Sequence, residues 1–368
     1  KARLPRHRFS IDKEVELDFP HLPPGCSIQL DRLSRRYVLN NIKENLSRLA
    51  VQIPERLQTF SSDTKQKLTF GNFIRYHDYE PELLLASETW SGWKAKAQLG
   101  PIPVDPDLAV LKKTLIRTAF INGPKEASLL RMVINKASRG AIDEVLSLPE
   151  NLIMTMYYRL WGDRGNKFGI TSLEDAFHRL ASNPSFLADM DEILAWSLDT
   201  TEVSGRIPEL PFECPFELHA TYGSIDILAG LGQANLKSAG QRGIGVLHFP
   251  AVKAYALLIT FQKTEREFSP STMYADYPIS RELLHWQSQS TTAQNSEKGQ
   301  HLIHHDKRGY TILTFARGNK KRHGVTAPFT YLGPADRVGY EKERPINIVW
   351  RLWYPMPAEM FEDNRKGG

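Results

Sequence analysis

Cysteine is scarce in this sequence. The chain has two cysteines in 368 residues, Cys26 and Cys214, and they lie far apart. Neither belongs to a paired spacing such as C-x-x-C. A zinc ribbon and a disulfide framework both need paired cysteines, so neither kind of structure is expected.

Long apolar runs are also missing. No stretch approaches the uncharged length that crosses a bilayer, and no charged and then apolar leader ends in a small-residue cleavage site. We therefore expect a cytoplasmic protein without a membrane partner. The chain opens at Lys1 in a stretch rich in proline and arginine, which is typical of the interior of a longer polypeptide. We expect the chain to be a piece of such a protein.

Catalytic and nucleotide-binding motifs are absent too. There is no G-x-x-x-x-G-K-[ST], H-E-x-x-H or G-x-S-x-G, and the glycine-rich stretch at 240–245 lacks the phosphate-binding lysine. The densest group of metal-ligand residue types is His304-His305-Asp306. Adjacent histidines on an extended strand point to opposite faces, which favours a loop facing solvent or DNA over a metal site. We expect no catalysis, metal or cofactor in this chain.

A basic excess is present and is concentrated in the C-terminal part. The net charge is +5, of which +4 belongs to residues 206–368. Between residues 298 and 323 there are seven lysines and arginines and one acid. Such a local excess favours a polyanionic partner.

Hydrophobic spacing predicts two different halves. Residues 1–30 are expected to be extended, and residues 31–198 carry helical periodicity, with a first helix that ends at Pro54. The later helices are predicted near 54–60, 69–76, 80–86, 105–121, 124–137, 139–147, 150–161, 172–181 and 184–197. A proline-rich boundary follows, and residues 205–368 form the second domain.

The second domain has strand-like runs. They are predicted at 245–249, 254–261, 310–315, 329–332 and 346–352, with one helix at 224–231 between them. The predicted fold class is therefore α+β: an all-helical N-terminal domain followed by a β-rich domain, either a strongly bent sheet or a small barrel.

The segment from Phe268 to Thr292 has the composition of a binding pocket. It combines aromatic residues, carboxylates, amides and hydroxyls, the groups that stack on a nucleobase and hydrogen-bond its edge. The same residues are compatible with a core tryptophan at Trp286 followed by a polar turn. The basic stretch at 317–324 is likewise either a DNA contact or a solvated hairpin tip.

Four ordered strings resemble the DUF3427 family, which is found at the C-terminal end of bacterial superfamily 2 helicase-like proteins. They are FSPSTMYADY from Phe268, LHWQSQS from Leu284, GVTAPFTYLGP from Gly324 and RPINIVWRL from Arg344. The resemblance spans about 205–368, and the preceding helices resemble the segment that follows the motor in the same proteins. Some proteins of this architecture are modification-dependent (type IV) restriction endonucleases of the SauUSI kind.

That resemblance implies an SRA/PUA-like target-recognition domain that reads 5-methylcytosine or 5-hydroxymethylcytosine in duplex DNA by base flipping, and a helical region at 31–198 that couples recognition to the motor. ATP and a divalent metal would act in the rest of the parent protein, a hydrolase of phage defence, whose helicase-like motor and nuclease would be partners of this region. A homodimer through the parent protein is also implied.

The hypothesis assigns a role to each candidate residue. Tyr274, Tyr277 or Trp286 stacks on the base and Asp276 accepts from its exocyclic amine, while Gln287 or Gln289 bonds the remaining edge and Ser288 and Ser290 complete the pocket. The residues expected to contact phosphates are Lys307, Arg308, Lys320, Lys321 and Arg322. Two alternatives stay open: a protein-interaction module that docks a nuclease subunit to a helicase-like motor, and a sequence-specific DNA reader that is blind to modification.

Overall fold

The computed structural model describes residues 42–162, 165, 168–240, 245–262, 276–322 and 325–365. Its helices are α1 (Ile42–Asp63), α2 (Phe70–His77), α3 (Pro81–Ser87), α4 (Trp90–Lys96), α5 (Leu108–Thr118), α6 (Pro124–Ser138), α7 (Ile142–Leu146), α8 (Glu150–Trp161), α9 (Leu173–Ala181), α10 (Pro184–Thr200), α11 (Ser224–Gly230), α12 (Glu297–Ile303), α13 (His305–Arg308) and α14 (Ala358–Asn364). Among these described helices, none combines the length and the apolar character that a bilayer crossing requires.

The strands lie in the C-terminal part, so the predicted α+β class is confirmed. They are β1 (Thr221–Tyr222), β2 (Val246–Phe249), β3 (Ala254–Thr260), β4 (Tyr277–Pro278), β5 (Leu283–Gln287), β6 (Thr311–Arg317), β7 (Lys321–Arg322), β8 (Val325–Thr326), β9 (Phe329–Glu341) and β10 (Asn347–Leu352). All five strands and the helix predicted for this half are present.

The described chain forms two compact units. Unit 1 comprises the described residues up to Ala119 together with Ser182–Trp196. Unit 2 comprises the described residues of Phe120–Ala181 and those from Ser197 onward. The domain limits predicted above, 1–30, 31–198 and 205–368, rest on composition and stay predictions.

In unit 1, helix α1 runs through Pro54, so the prediction that a helix ends there was wrong. Proline removes one backbone hydrogen bond from a helix. The residues around it compensate by burial, since Ile53, Leu57 and Phe60 lie on one helical face and are at most 1% exposed. Packing of this face therefore holds the helix together across the proline.

Carboxylates tie the first part of α10 to the earlier helices of unit 1. Glu192 accepts hydrogen bonds from the backbone N–H of Phe70 at 2.7 Å and from the indole N–H of Trp90 at 2.8 Å. Asp105 accepts from the backbone N–H groups of Ser185 and Phe186 in the first turn of α10. The three backbone bonds satisfy donors at helix N-termini that have no partner within their own helix.

The core of unit 2 is a mixed sheet with the strand order β2-β3-β6-β9-β10-β5-β4, and β1 also pairs with β9. Strands β3 and β6 are parallel, and the other pairs are antiparallel. Within the described residues the sheet does not close into a barrel, so the bent-sheet alternative holds there. Register shifts on both sides of β9 bend it.

Both faces of the central strands are buried. One face carries a core with Tyr255, Leu257 and Trp350, and the other packs Ala256, Phe315 and further residues against α11 and β1. A strand that is covered on both sides has no polar face, which explains the almost continuous apolar runs of β3 and β6.

Several parts of the fold were not predicted, among them helices α4, α12 and α14. No strand was predicted at 283–287, yet Leu283–Gln287 forms β5, in which Leu284 and Trp286 alternate with His285 and Gln287 across the two faces. The residues around His304 were treated as a loop or an extended strand, and residues 305–308 instead form the short helix α13.

Candidate functional site

An aromatic pair lies on β4 and β5, at one side of the sheet. Tyr277 and His285 are cross-strand partners, and their rings stack at a centroid distance of 4.6 Å and an angle of 12°. Both residues are half-buried. On the next strand His285 is paired with Val349, which is paired in turn with Gly339. A Cβ added at Gly339 would meet no atom within 4 Å, so this row ends in open space.

A row of polar side chains crosses strands β5, β10 and β9. It begins at Gln287, two residues after His285. The Gln287 amide donates to Asn347 Oδ1 at 3.0 Å, and the Asn347 amide donates to Glu341 Oε1 at 3.3 Å. Their backbones are paired in register, Gln287 with Asn347 and Asn347 with Glu341. Amides and a carboxylate beside a stacked aromatic pair are the groups that recognise a base edge.

Trp286 lies in the core and not in this row. Its side chain is 3% exposed, belongs to the hydrophobic cluster of the sheet and contacts the ring of Trp350 at a centroid distance of 6.4 Å. Asp276 is also buried, and its Oδ1 accepts from the backbone N–H of Gln287 at 2.9 Å. Trp286 is therefore a residue of the core, and Asp276 positions β5.

The residues after Gln287 lead into a turn that the bond from the Thr292 N–H to the Gln289 carbonyl closes. Ser288 is fully buried and its hydroxyl accepts from the backbone N–H of Ile346 at 2.9 Å. Gln289 Oε1 accepts from Lys298 Nζ at 2.6 Å, and burial lowers the pKa of Lys298. Ser290 is exposed, and its carbonyl accepts from Arg344 Nε at 2.9 Å. These contacts make the turn a support for the strand ends. The predicted pocket residue Tyr274 lies outside the described residues.

The predicted phosphate-contacting residues lie at opposite ends of β6. Lys307 and Arg308 end α13, just before β6 begins, and Lys321 and Arg322 form β7, just after it ends. These four side chains are exposed, whereas Lys320 is half-buried. A strand of seven residues is about 20 Å long. The length of β6 therefore lies between the two basic groups along the chain.

His305 is held as a neutral structural side chain. Its Nε2 lies 3.2 Å from the backbone N–H of Arg337, and its Nδ1 lies 3.2 Å from the carbonyl of Tyr310. Since Nε2 must accept, Nδ1 carries the proton that it donates. Burial lowers the pKa of His305, which favours this neutral form. In the described chain there is no group of three or more residues of metal-ligand type that could hold an ion.

Sequence reasoning missed a buried charge cluster in unit 2. Arg159 on α8 bonds Glu126 on α6 at 2.6 Å and Asp226 on α11 at 2.8 Å, and the three side chains are at most 9% exposed. Glu217 is fully buried beside them and accepts from the backbone N–H groups of Lys125 and Glu126 in the first turn of α6. A single guanidinium thus serves a cluster with three carboxyl groups.

Glu126 is the carboxyl with the fewest partners. Its Oε2 is buried and has no hydrogen-bond partner in the part of the chain that the structure describes. Burial raises its pKa to about 7, and the charges of Asp226 and Glu217 add to that effect while Arg159 opposes it. Glu126 is therefore the group of this cluster that takes a proton near neutral pH.

Stability should fall as pH rises through this range. Because the pKa of Glu126 is higher in the folded state than the ordinary value of 4.5, its contribution is full below pH 4.5 and is lost as pH rises through about 7. Urea unfolding midpoints at a series of pH values should show this decline, and Glu126→Gln should flatten it. The exposed Glu209→Gln is the control. An unchanged slope in Glu126→Gln would contradict the assignment.

The cluster borders a cleft of about 470 Å³. Its walls are mainly apolar and include Leu129, Leu152, Met156 and Phe216, with Glu126 and Tyr222 beside them. The volume is within the range of sites for small molecules. One signal in the sequence could have indicated this region: Arg159 shares a helical face with Leu152 and Met156, where a charged residue needs a buried partner.

Residues 216–363 match a family model described as "Domain of unknown function (DUF3427)". The matched range includes the sheet, the aromatic pair and both basic groups. The matched range agrees with the resemblance found in the sequence. No curated protein matches the chain.

Proposed function

We propose that the DUF3427 domain binds duplex DNA and reads a modified cytosine as the target-recognition part of a modification-dependent restriction system. The observation that carries the DNA-binding step is the pair of exposed basic groups, Lys307 with Arg308 and Lys321 with Arg322, at the two ends of β6. Phosphate contacts from such groups supply most of the affinity of a DNA-binding protein and orient it on the duplex.

The separation of these groups suits a nucleic-acid backbone. Phosphates recur about every 3.4 Å along one strand, so a distance of roughly 20 Å spans about six of them. Two clusters of cations at that distance would hold the DNA backbone at two points. A single basic loop would leave the DNA free to pivot about one point.

For base recognition we propose the face of the sheet that carries Tyr277, His285 and Gln287. The stacked rings offer an aromatic surface, and the amides of Gln287 and Asn347 offer donors and acceptors at half-buried or buried positions. Extrusion of a base costs a few kcal/mol, which stacking and edge hydrogen bonds must offset. Trp286 does not stack on the base, because its ring is enclosed in the core.

The remainder of the function follows the resemblance. We propose that the helical region couples target engagement to a helicase-like motor and a nuclease of the parent protein in the cytoplasm, where ATP and a divalent metal would act. The chain described here would then be a non-catalytic region of a hydrolase.

The direct test compares two otherwise identical duplexes, one with 5-methylcytosine and one with plain cytosine, in several sequence contexts at moderate salt. We expect tighter binding of the modified duplex and a loss of this difference in His285→Ala. Equal affinity, with preference among unmodified sequences, would instead show a modification-blind reader. No binding to any duplex by the folded chain would reject DNA binding and favour the protein-interaction module.

The basic groups should contribute affinity without discrimination. Replacing Lys321 and Arg322 together by alanine should weaken binding of both duplexes alike and reduce the salt dependence of log K by about two. Fluorescence anisotropy between low and moderate salt measures this slope. Lys113→Ala, at an exposed position of α5, is the control. A selective loss for the modified duplex would show that these cations lie at the base and not at phosphates.

A further inference from the structure

The cleft beside Glu126 has a polar group at its wall that no part of the described chain satisfies. The side chain of Glu126 is 7% exposed, its Oε1 is bonded to Arg159, and its Oε2 has no hydrogen-bond partner in the described residues. A buried carboxyl oxygen without a hydrogen-bond partner destabilises the folded chain. Such an atom beside a cavity is a site where a ligand gains a hydrogen bond that the protein lacks.

The charge around this atom selects the sign of the ligand. Glu126, Asp226 and Glu217 bring three carboxyl groups to the cluster, and Arg159 is the cation that bonds two of them. Glu217 is bonded by backbone N–H groups instead. One basic and one acidic residue, Lys125 and Glu213, also line the cleft and offset each other. A negative surplus therefore remains when the carboxyl groups ionise, so a cation or a strong N–H donor is favoured in the cleft and an anion is disfavoured.

The walls select the rest of the ligand. Leu129, Leu152, Met156 and Phe216 present apolar surface around the carboxyl group. An ammonium or a metal ion without an apolar body would leave the apolar walls of the cleft in contact with water. A metal ion would also need several oxygen ligands, whereas Glu126 offers one uncommitted oxygen. The cleft thus suits an apolar body with one polar head.

We propose that this cleft binds a small organic molecule with a cationic, N–H-donating head, such as an amidine or an amine, on an apolar body. The head bonds Oε2 of Glu126 and the body lies against Leu152, Met156 and Phe216. This site is separate from the sheet face proposed for DNA, and the inference does not rest on DNA binding.

Three related compounds test the chemistry on the full chain. Benzamidine carries the proposed head, benzamide is a neutral counterpart of similar shape, and benzoate carries the opposite charge. Isothermal titration calorimetry should show benzamidine binding at least about tenfold more tightly than benzamide, as expected for a charge-assisted hydrogen bond, and no measurable binding of benzoate. Equal affinity for the three compounds, or no binding of benzamidine up to its solubility limit, would overturn the proposal.

Two variants locate the binding site. Glu126→Gln removes the charge at nearly constant shape and should reduce benzamidine affinity by about tenfold or more. Since this change also affects the Arg159 cluster, Leu152→Trp provides a second test: it fills the cleft without touching the carboxyl group and should abolish binding. Ser128→Trp, at an exposed position of α6, is the matched control. Unchanged affinity in Leu152→Trp, with circular dichroism showing a folded chain, would place benzamidine elsewhere and refute the site.

Discussion

Replacing Trp286 by alanine should lower the free energy of unfolding of unit 2 by about 3–5 kcal/mol, the usual cost of removing a large aromatic side chain from a core. The indole is 3% exposed and contacts Trp350 within the hydrophobic cluster of the sheet. Its backbone is paired with Ile348, which is fully buried. Truncation therefore leaves a cavity between neighbouring strands that the rigid sheet cannot close.

Urea unfolding followed by circular dichroism measures this loss. Trp286→Phe keeps an aromatic ring in the same place and should lose less than half as much stability, because most of the volume remains filled. His285→Ala changes the adjacent residue on the opposite face and should cost about 1 kcal/mol or less, since that side chain is half-buried.

The comparison of Trp286 with His285 separates a structural role from a recognition role. If Trp286→Ala kept its stability but lost discrimination between methylated and plain DNA, the ring would be a base-stacking group and its core position would not persist in the complex. The expected pattern is the reverse: His285→Ala affects discrimination and Trp286→Ala affects folding.

The central strands could be predicted from sequence, and the edge of the sheet could not. Strands β3 and β6 are buried on both faces, so their composition alone identifies them. Strand β5 contains His285 and Gln287, and its polar content hid an alternation with Leu284 and Trp286. Alternation is the property of a strand with one buried face, and in a segment of five residues it is a weak signal.

The candidate residues divide in the same way. Lys307, Arg308, Lys321 and Arg322 are exposed, as charged side chains usually are, and their contact with phosphates stays a prediction. The roles of Asp276 and Ser288 did not follow from composition, because each side chain accepts a hydrogen bond from a backbone N–H elsewhere in the chain. Polar residues that hydrogen-bond to the backbone and polar residues that bind a ligand are of the same types. Only the tertiary structure distinguishes them.

The buried charge cluster shows this limit most clearly. Arg159 and Glu126 are 33 residues apart, and Asp226 comes from a third helix. Each residue alone resembles an ordinary charged position of a helix. Helical periodicity places Arg159 on an apolar face, but no local rule states which carboxylates meet it there.

Replacing Arg159 by methionine should lower the free energy of unfolding of unit 2 by about 3–5 kcal/mol, because it leaves buried carboxylates without their cation. The side chain is 7% exposed and bonds both Glu126 and Asp226, so water cannot take over its role. The loss should be larger above pH 7 than at pH 5, since Glu126, whose pKa is about 7, is protonated at the lower pH and needs the cation less.

Two comparisons make the origin of this loss identifiable. Arg139→Met, at an exposed position after α6, should change stability by no more than about 0.5 kcal/mol. Combining Arg159→Met with Glu126→Gln and Asp226→Asn removes the uncompensated charges together with the cation and should recover part of the lost stability. If the combined variant were less stable than Arg159→Met alone, the loss would come from packing of the arginine stem and not from unpaired carboxylates. Recovery that appears only above pH 7 would assign it to the ionisation of Glu126.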